Sequence, residues 1–159
     1  FIYPADGESH KNHLRLLEDW RVLGVRGLWP SLALTLGPRD QALVRLVETY
    51  RTKHGVRVHD LGQRPHAEVL GLYRRSGALV FPSLGESFGL PLVEAKRCGL
   101  PIVASELDFV RDVCEPAQTF DPKSPQSIAR AVERFLGMAT PGTQLHTPAE
   151  FLAALRGGA

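Results

Sequence analysis

Short apolar runs alternate along this chain with longer stretches in which hydrophobic residues recur every three or four positions. The first pattern is typical of strands and the second of amphipathic helices. The alternation predicts strands at residues 1–3, 31–36, 56–61, 78–81, 101–104 and 119–120. It predicts helices at residues 10–23, 37–54, 65–75, 91–98, 107–113 and 124–136.

This order predicts an α/β fold, a Rossmann-like doubly wound parallel sheet of about six strands with helices on both faces. Right-handed crossovers between parallel strands place the helices there. Residues 78–81 are wholly apolar, as expected of a strand that is buried on both faces. Such sheets bind ligands at the carboxyl ends of their strands. The candidate site therefore lies in the loops at residues 4–9, 37–40, 62–65, 83–90 and 105–108.

The domain organisation follows from the same pattern. Residues 1–138 are expected to form one domain, and residues 139–159 a loop and a terminal helix that pack on it or trail from it. Phe1 already belongs to a predicted strand and the single methionine is Met138, so we expect a piece of a longer polypeptide. Part of any shared active site would then lie on a missing domain.

Composition narrows the class of protein. The net charge of +2 is too small to indicate a nucleic-acid binder, and no apolar run approaches the ~18 residues of a membrane span. Cys98 and Cys114 form no C-x-x-C pair, which argues against a disulfide scaffold or a zinc module and favours a reducing, cytoplasmic compartment. The sequence contains no G-x-G and no Gly-Lys pair, so the dinucleotide fingerprint and the P-loop are both missing.

The strongest candidate chemistry lies in the string Phe81-Pro-Ser-Leu-Gly-Glu-Ser-Phe-Gly-Leu-Pro-Leu-Val-Glu-Ala95. It leaves a buried strand, crosses a glycine-containing loop and enters a helix whose first amides, at Gly89, Leu90 and Leu92, would attract an anion. Glu94 is expected in the first turn of that helix. Its carboxylate can accept two hydrogen bonds, as a ribose diol requires. The alternative is that Glu94 only complements the helix dipole.

Two further charged residues fit a site for a sugar and a phosphate. Glu86 lies in the loop and could accept a hydrogen bond from a sugar hydroxyl, or it could simply be solvated. Lys11, between His10 and His13, is expected at the start of the first helix. A cation is unfavourable at that end of the helix dipole unless an anion is bound there. The alternative is that nearby acidic residues and solvent screen Lys11.

This ordered set of residues resembles the group 1 (family 4) retaining glycosyltransferases. The resemblance rests on Glu86-x7-Glu94 within the string above, on Cys98-Gly-Leu-Pro-Ile-Val-Ala-Ser105, on Phe120-Asp-Pro122, and on Tyr3-Pro4 with His10-Lys-Asn-His13. It extends from residue 1 to about residue 136. A glutamate pair at this spacing would be weak by itself, but the whole ordered set is specific.

The resemblance implies a two-domain enzyme of GT-B architecture, of which residues 1–138 are the C-terminal, donor-binding domain. The N-terminal acceptor domain would be missing. Members of this family transfer a sugar from a nucleotide-sugar with retention of configuration, usually without a metal. The implied donor is a nucleoside-diphosphate sugar of the UDP, GDP or ADP type, with no permanently bound cofactor. The implied acceptor is a sugar or a lipid-linked sugar, which leaves room for peripheral association of the whole enzyme with the inner face of a membrane.

The resemblance also assigns roles to individual residues. Glu94 would bind the ribose, Glu86 the donor sugar's hydroxyls and Lys11 the diphosphate, so that Glu86 and Lys11 are the implied catalytic residues. The sugar and phosphate pocket would be lined by Ser87, Phe88, Gly89 and Leu90. The nucleobase would contact the loops at Gly37 and Gly62. Family members often carry an arginine six residues before the lysine; this chain has Ala5 there, with Arg39 as one candidate replacement.

Two hypotheses follow. The first is the donor domain of a glycosyltransferase in cell-surface polysaccharide or lipopolysaccharide assembly, which is inactive in transfer without its partner domain. The second is a catalytically silent domain of the same fold that binds nucleotides or docks partners.

Overall fold

The computed structural model describes residues 1–138 as one α/β domain. Its strands are β1 (Ile2–Tyr3), β2 (Leu32–Leu34), β3 (Val58–Asp60), β4 (Leu79–Phe81), β5 (Ile102–Ser105) and β6 (Gln118–Phe120). Its α-helices are α1 (His13–Val25), α2 (Gln41–His54), α3 (His66–Arg75), α4 (Leu90–Arg97), α5 (Asp108–Arg111) and α6 (Pro125–Phe135). The predicted loop at 140–147 and helix at 148–155 lie outside the described residues.

The six strands form one parallel sheet in the order β3-β2-β1-β4-β5-β6, which confirms the predicted fold class. Strand β1 is central, since Ile2 is in register with Ala33 on one side and with Leu79 on the other. The chain runs outward in both directions from the β1–β4 pair. Loops leaving β1 and β4 therefore diverge, and a crevice opens between them at the topological switch point.

The core consists of apolar strand residues and the aromatic side chains that pack on them. All three residues of β4 are fully buried, as predicted for a strand covered on both faces. Tyr3 packs edge-on against Phe81 at a ring-centroid distance of 5.8 Å, and Trp20 of α1 is also buried. The sheet beneath the crevice is therefore rigidly packed.

Two predicted boundaries shift because carboxylates capture backbone amides. Strand β2 ends at Leu34, not at residue 36, and the amide of Leu36 donates to Asp60 Oδ1 at 3.0 Å. Helix α2 begins at Gln41, not at residue 37, because the amide of Gly37 donates to Asp40 Oδ2 at 2.8 Å in a turn before the helix. These side-chain bonds compete with the regular backbone pairing.

The start of the first helix also differs from the prediction. Residues Ser9–Lys11 form a 3₁₀ turn, and α1 begins only at His13. Asn12 separates the two with a left-handed backbone (φ 63°) and is the only non-glycine residue with positive φ among residues 1–138. Asparagine is one of the few residue types that adopt this conformation readily. Lys11 therefore lies in the turn before α1 and not in the helix.

His13 is a buried titratable group of this region. Its imidazole lies against the ring of Tyr3 at a centroid distance of 4.9 Å, and neither ring nitrogen has a hydrogen-bond partner among the described residues. Burial lowers the pKa of His13 from 6.5 to about 4, although Asp40 and Asp6 oppose that shift. The folded domain thus holds His13 neutral.

This depressed pKa predicts acid sensitivity of the fold. Because the unfolded chain takes up the proton first, the stabilising contribution is present above pH 6.5 and is lost as the pH falls toward about 4. Replacing His13 with Phe keeps an aromatic ring against Tyr3 and removes the titration. Between pH 7.5 and pH 5, urea unfolding should show the wild-type chain losing about 2 kcal/mol more than His13→Phe. If the free energies of unfolding of the two proteins fell equally between pH 7.5 and pH 5, His13 would not be held neutral in the folded domain.

Candidate functional site

A cleft with a volume of about 810 Å³ lies at the carboxyl edge of the sheet. Four of the five predicted loops contribute to it, namely those that follow β1, β2, β3 and β4. The loop at 105–108 does not line it. The cleft therefore occupies the switch point between β1 and β4 and extends toward the β3 edge.

Lys11 and Glu86, which come from different loops, are paired directly in this cleft. The Lys11 Nζ atom donates to Glu86 Oε1 at 2.8 Å and to Oε2 at 2.9 Å. Ser83 Oγ also donates to Glu86 Oε1, at 2.7 Å. The two charged side chains are only 16% and 10% exposed. Lys11 is thus neutralised by Glu86, and not by the nearby acidic residues considered from the sequence.

The backbone around Lys11 is held by buried polar groups. The hydroxyl of Tyr3 donates to the Lys11 carbonyl at 2.9 Å. The side-chain amide of Asn12 donates to the carbonyls of Pro82 at 3.0 Å and Pro122 at 2.7 Å. These bonds connect the loop after β1 to the loops after β4 and β6. This role of Asn12 could not be predicted from the sequence, where its only local signal is the tolerance of asparagine for positive φ.

Glu94 faces the same cleft from α4. It is the fifth residue of that helix and so lies in the second turn, not in the first as predicted. Its Oε2 accepts a hydrogen bond from the hydroxyl of Tyr73 at 3.2 Å, and its Oε1 lies 3.4 Å from Nδ1 of His66. Burial and the neighbouring Glu94 carboxylate both raise the pKa of Tyr73, so its hydroxyl stays a proton donor. His66 lines the cleft with an exposed side chain.

The predicted pocket residues Ser87, Phe88, Gly89 and Leu90 all line the cleft. Gly89 has a left-handed backbone (φ 65°) and is the N-cap residue directly before α4, where its missing side chain removes the strain of that conformation. The amide of Leu92, which was expected to be free for an anion, donates to the Gly89 carbonyl at 2.9 Å. The side chains of Phe88 and Leu90 are exposed at the rim.

Residues Gly85-Glu86-Ser87-Phe88-Gly89 also fit the G-x-S-x-G pattern of serine hydrolases. Ser87 is exposed, three residues before α4 begins, rather than on a sharp turn from strand to helix. Among residues 1–138, no histidine is hydrogen-bonded to its hydroxyl. This geometry does not support a hydrolase nucleophile.

The two loops predicted to contact a base are placed differently. Gly37 lines the cleft with its amide donated to Asp40 Oδ2, whereas Gly62 does not line the cleft and donates its amide to Asp60 Oδ1 at 2.9 Å. The role of Gly62 stays a prediction.

Position 5, where related proteins often have an arginine, is Ala5 in this chain, and the structure favours a different cation from Arg39 as its replacement. Ala5 lines the cleft and Arg39 does not, but Arg64, from the loop after β3, does. Arg64 therefore replaces Arg39 as the candidate cation. Residues 1–138 contain no cluster of three His, Cys, Asp or Glu side chains arranged to hold a metal ion.

The sheet order, with a cleft at the switch point, defines a Rossmann-like domain. The sequence matches the family model "Glycosyl transferases group 1" over residues 1–144, and the chain belongs to that family.

Curated relatives include O-antigen chain mannosyltransferase B of Escherichia coli, 32% identical over 132 residues that make up 80% of this chain and 34% of the relative. The serotype-specific mannosyltransferase WbdA of Escherichia coli is 43% identical over 68 residues, which are 42% of this chain and 8% of that protein. This chain thus spans about a third of the first relative and less than a tenth of the second.

Solved structures with the same fold include Anabaena Alr3699/HepE in complex with UDP and glucose. It has a TM-score of 0.69 and 21% identity, and the match covers 86% of this chain and 38% of HepE. The C-terminal domain of the group 1 glycosyl transferase LpcC from Francisella tularensis has a TM-score of 0.71 and 21% identity, covering 86% of this chain and 73% of that domain. These likenesses confirm the GT-B, Rossmann-like fold. In the described part of the chain, every helix is too short or too polar to cross a bilayer.

The burial of the Lys11–Glu86 pair predicts strong coupling between its two members. Lys11→Met and Glu86→Gln should each lower the free energy of unfolding by about 1–3 kcal/mol, because each leaves a largely buried charge without its partner. The double variant should be more stable than the sum of the single losses implies, and urea unfolding of all four proteins measures this coupling.

The pair Arg15–Glu18 on α1 is a matched control at a similar distance of 3.0 Å, with side chains 48% and 31% exposed. Its coupling should stay below about 1 kcal/mol. Equal coupling energies in the double-mutant cycles of the two pairs would show that burial does not strengthen the Lys11–Glu86 pair.

Proposed function

We propose that this chain is the donor-binding domain of a retaining glycosyltransferase that uses a nucleoside-diphosphate sugar. The observation that carries the proposal is the convergence of Lys11, Glu86 and Glu94 in one cleft at the switch point, beside the start of α4. A cation, two carboxylates and the amides of Gly89 and Leu90 at the start of α4 are the groups that a diphosphate, a sugar and a ribose require.

Glu94 is the proposed ribose ligand. Its carboxylate lies on the cleft wall formed by α4 and is 18% exposed, so a hydroxyl can reach it from the cleft. An ionised carboxylate accepts hydrogen bonds from two neighbouring hydroxyls and donates none. The same side chain therefore favours a vicinal diol over a phosphate.

Lys11 is the proposed diphosphate ligand, together with the amides of Gly89 and Leu90 at the start of α4. Its ammonium group has three donors, of which Glu86 takes two in the structure. Charge develops on the diphosphate as the bond from the sugar's anomeric carbon to the terminal phosphate oxygen breaks. That charge is stabilised by Lys11 and by the helix dipole, which are already in place before the reaction. The new bond forms to an acceptor hydroxyl, whose proton is released.

Glu86 is the proposed ligand of the donor sugar's hydroxyls. It lies between Lys11 and the residues Ser87 to Leu90, at the part of the cleft nearest the phosphate site. Ser83 and Lys11 both donate to it, which keeps its carboxylate oriented toward the cleft. It could accept hydrogen bonds from a sugar without moving far.

The whole enzyme is proposed to contain an N-terminal acceptor domain that this chain lacks, consistent with its span of 34% of O-antigen chain mannosyltransferase B. The names of the two Escherichia coli relatives favour mannose as the sugar and cell-surface polysaccharide or lipopolysaccharide assembly as the process. The acceptor would be a sugar or a lipid-linked sugar, with the enzyme in the cytoplasm at the inner face of the membrane. The isolated chain should bind a donor without transferring its sugar.

Calorimetric titration of the 159-residue chain with UDP, GDP and ADP tests the nucleotide site. We expect selective binding of one diphosphate, and Glu94→Ala should weaken it by about 1–3 kcal/mol because the lost ribose bonds are charge-assisted. Glu48→Ala removes an exposed carboxylate from α2, outside the cleft, and should change nothing.

Absence of binding by all three diphosphates, repeated with the full-length enzyme, would favour the catalytically silent alternative. Binding that Glu94→Ala leaves unchanged would reject the ribose assignment.

The sugar assignment makes a separate prediction. Glu86→Ala should weaken binding of the nucleotide-sugar by about tenfold more than binding of the matching free diphosphate, because only the sugar carries the hydroxyls that Glu86 accepts from. Competition of GDP-mannose and GDP, or of the corresponding UDP pair, for the same site measures both affinities. Equal losses would show that Glu86 acts only through Lys11.

A further inference from the structure

The two oxygens of Glu94 contact groups of opposite character. Oε2 accepts from the hydroxyl of Tyr73, which is fully buried, and Oε1 lies beside the imidazole of His66, whose side chain is 68% exposed. One oxygen is therefore attached to the core, while the other faces a group that can move into solvent. A carboxylate without a partner on a helix would rotate between several orientations, whereas the Glu94 carboxylate is held at Oε2 by Tyr73.

Tyr73 is fixed by its position in the fold. It lies in the last turn of α3, and its ring belongs to the hydrophobic core beneath the cleft. A buried phenol hydroxyl needs a hydrogen-bond partner, and the partner present among the described residues is Glu94. Burial and the negative Glu94 keep the hydroxyl protonated, so it donates to the carboxylate.

We propose that Tyr73 is a positioning residue for ribose recognition, a role that rests on the proposed function of Glu94. Its hydroxyl holds Oε2 and so turns Oε1 toward the cleft, where one ribose hydroxyl takes the place that His66 now occupies. The second hydroxyl binds the remaining lone pairs of the carboxylate. Tyr73 itself makes no contact with the nucleotide; it selects for the diol by fixing the group that binds it.

The test compares a nucleoside diphosphate with its 2′,3′-dideoxy analogue, which lacks both hydroxyls. The probe is whichever of UDP, GDP and ADP the 159-residue chain binds. Wild type should prefer the ribonucleotide, and Tyr73→Phe should reduce that preference by about three- to tenfold, with the affinity for the dideoxy analogue unchanged. Phe retains the buried ring. Tyr50→Phe on α2 is the matched control and should keep the full preference.

A second measurement uses the same variants in pairs. In a Glu94→Gln background, Tyr73→Phe should have no further effect on ribonucleotide affinity, because the group that it positions is already impaired. If Tyr73 had only a structural role, Tyr73→Phe would instead weaken binding of the ribonucleotide and of the dideoxy analogue equally, with either Glu or Gln at position 94.

The outcomes separate the two proposals. If Glu94→Gln abolishes the preference for ribose but Tyr73→Phe preserves it, the positioning role is wrong and the ribose assignment stands. If neither variant changes the preference, or wild type shows none, the assignment of Glu94 fails and the role of Tyr73 fails with it. A loss of preference in both variants, without additivity, supports the proposal.

Discussion

The left-handed backbone at Asn12 is the constraint on which the site depends. It ends the 3₁₀ turn that carries Lys11 and allows α1 to leave in a new direction. The side-chain amide of Asn12 then bonds the carbonyls of Pro82 and Pro122 in the interior. Because the loops after β1, β4 and β6 are connected through one buried amide, the ammonium of Lys11 and the carboxylate of Glu86 meet across the switch point instead of lying in independent loops.

The Lys11–Glu86 pair explains how two charged side chains can be largely buried in this cleft. Lys11 would otherwise be a largely buried cation, and Glu86 a largely buried anion, each of which carries a large desolvation cost. Paired, they neutralise one another. A diphosphate that binds Lys11 must share it with Glu86, so the affinity for the anion is lower than an unpaired lysine would give. In the donor complex that we propose, a hydrogen bond from a sugar hydroxyl to Glu86 compensates part of that loss and couples recognition of the sugar to recognition of the diphosphate.

Much of the fold could be predicted from the sequence, because period-two and period-3.6 patterns are local and the parallel order of the strands follows from the crossover rule. The loops that line the cleft were predicted for the same reason. The start of α1, the start of α2 and the turn of α4 that holds Glu94 were misplaced by one to four residues. Helices α1 and α4 begin after left-handed residues, Asn12 and Gly89, and α2 begins after the turn in which the Gly37 amide donates to Asp40. The Lys11–Glu86 pair joins residues 75 positions apart, and no local pattern could show it.

Three residues whose roles could not be predicted from the sequence share one physical property, a buried side-chain hydroxyl. Each of the three charged residues proposed to bind donor accepts a hydrogen bond from a buried hydroxyl: Tyr3 donates to the backbone carbonyl of Lys11, and Ser83 and Tyr73 donate to the carboxylates of Glu86 and Glu94. In a hydrophobic pattern the two tyrosines count as core residues, so their hydroxyls carry no signal. Yet a phenylalanine would fill the core as well without a buried polar atom to satisfy. The hydroxyls therefore connect the rigid sheet to the charged side chains in the cleft, and in the donor complex that we propose they fix its geometry without touching the donor.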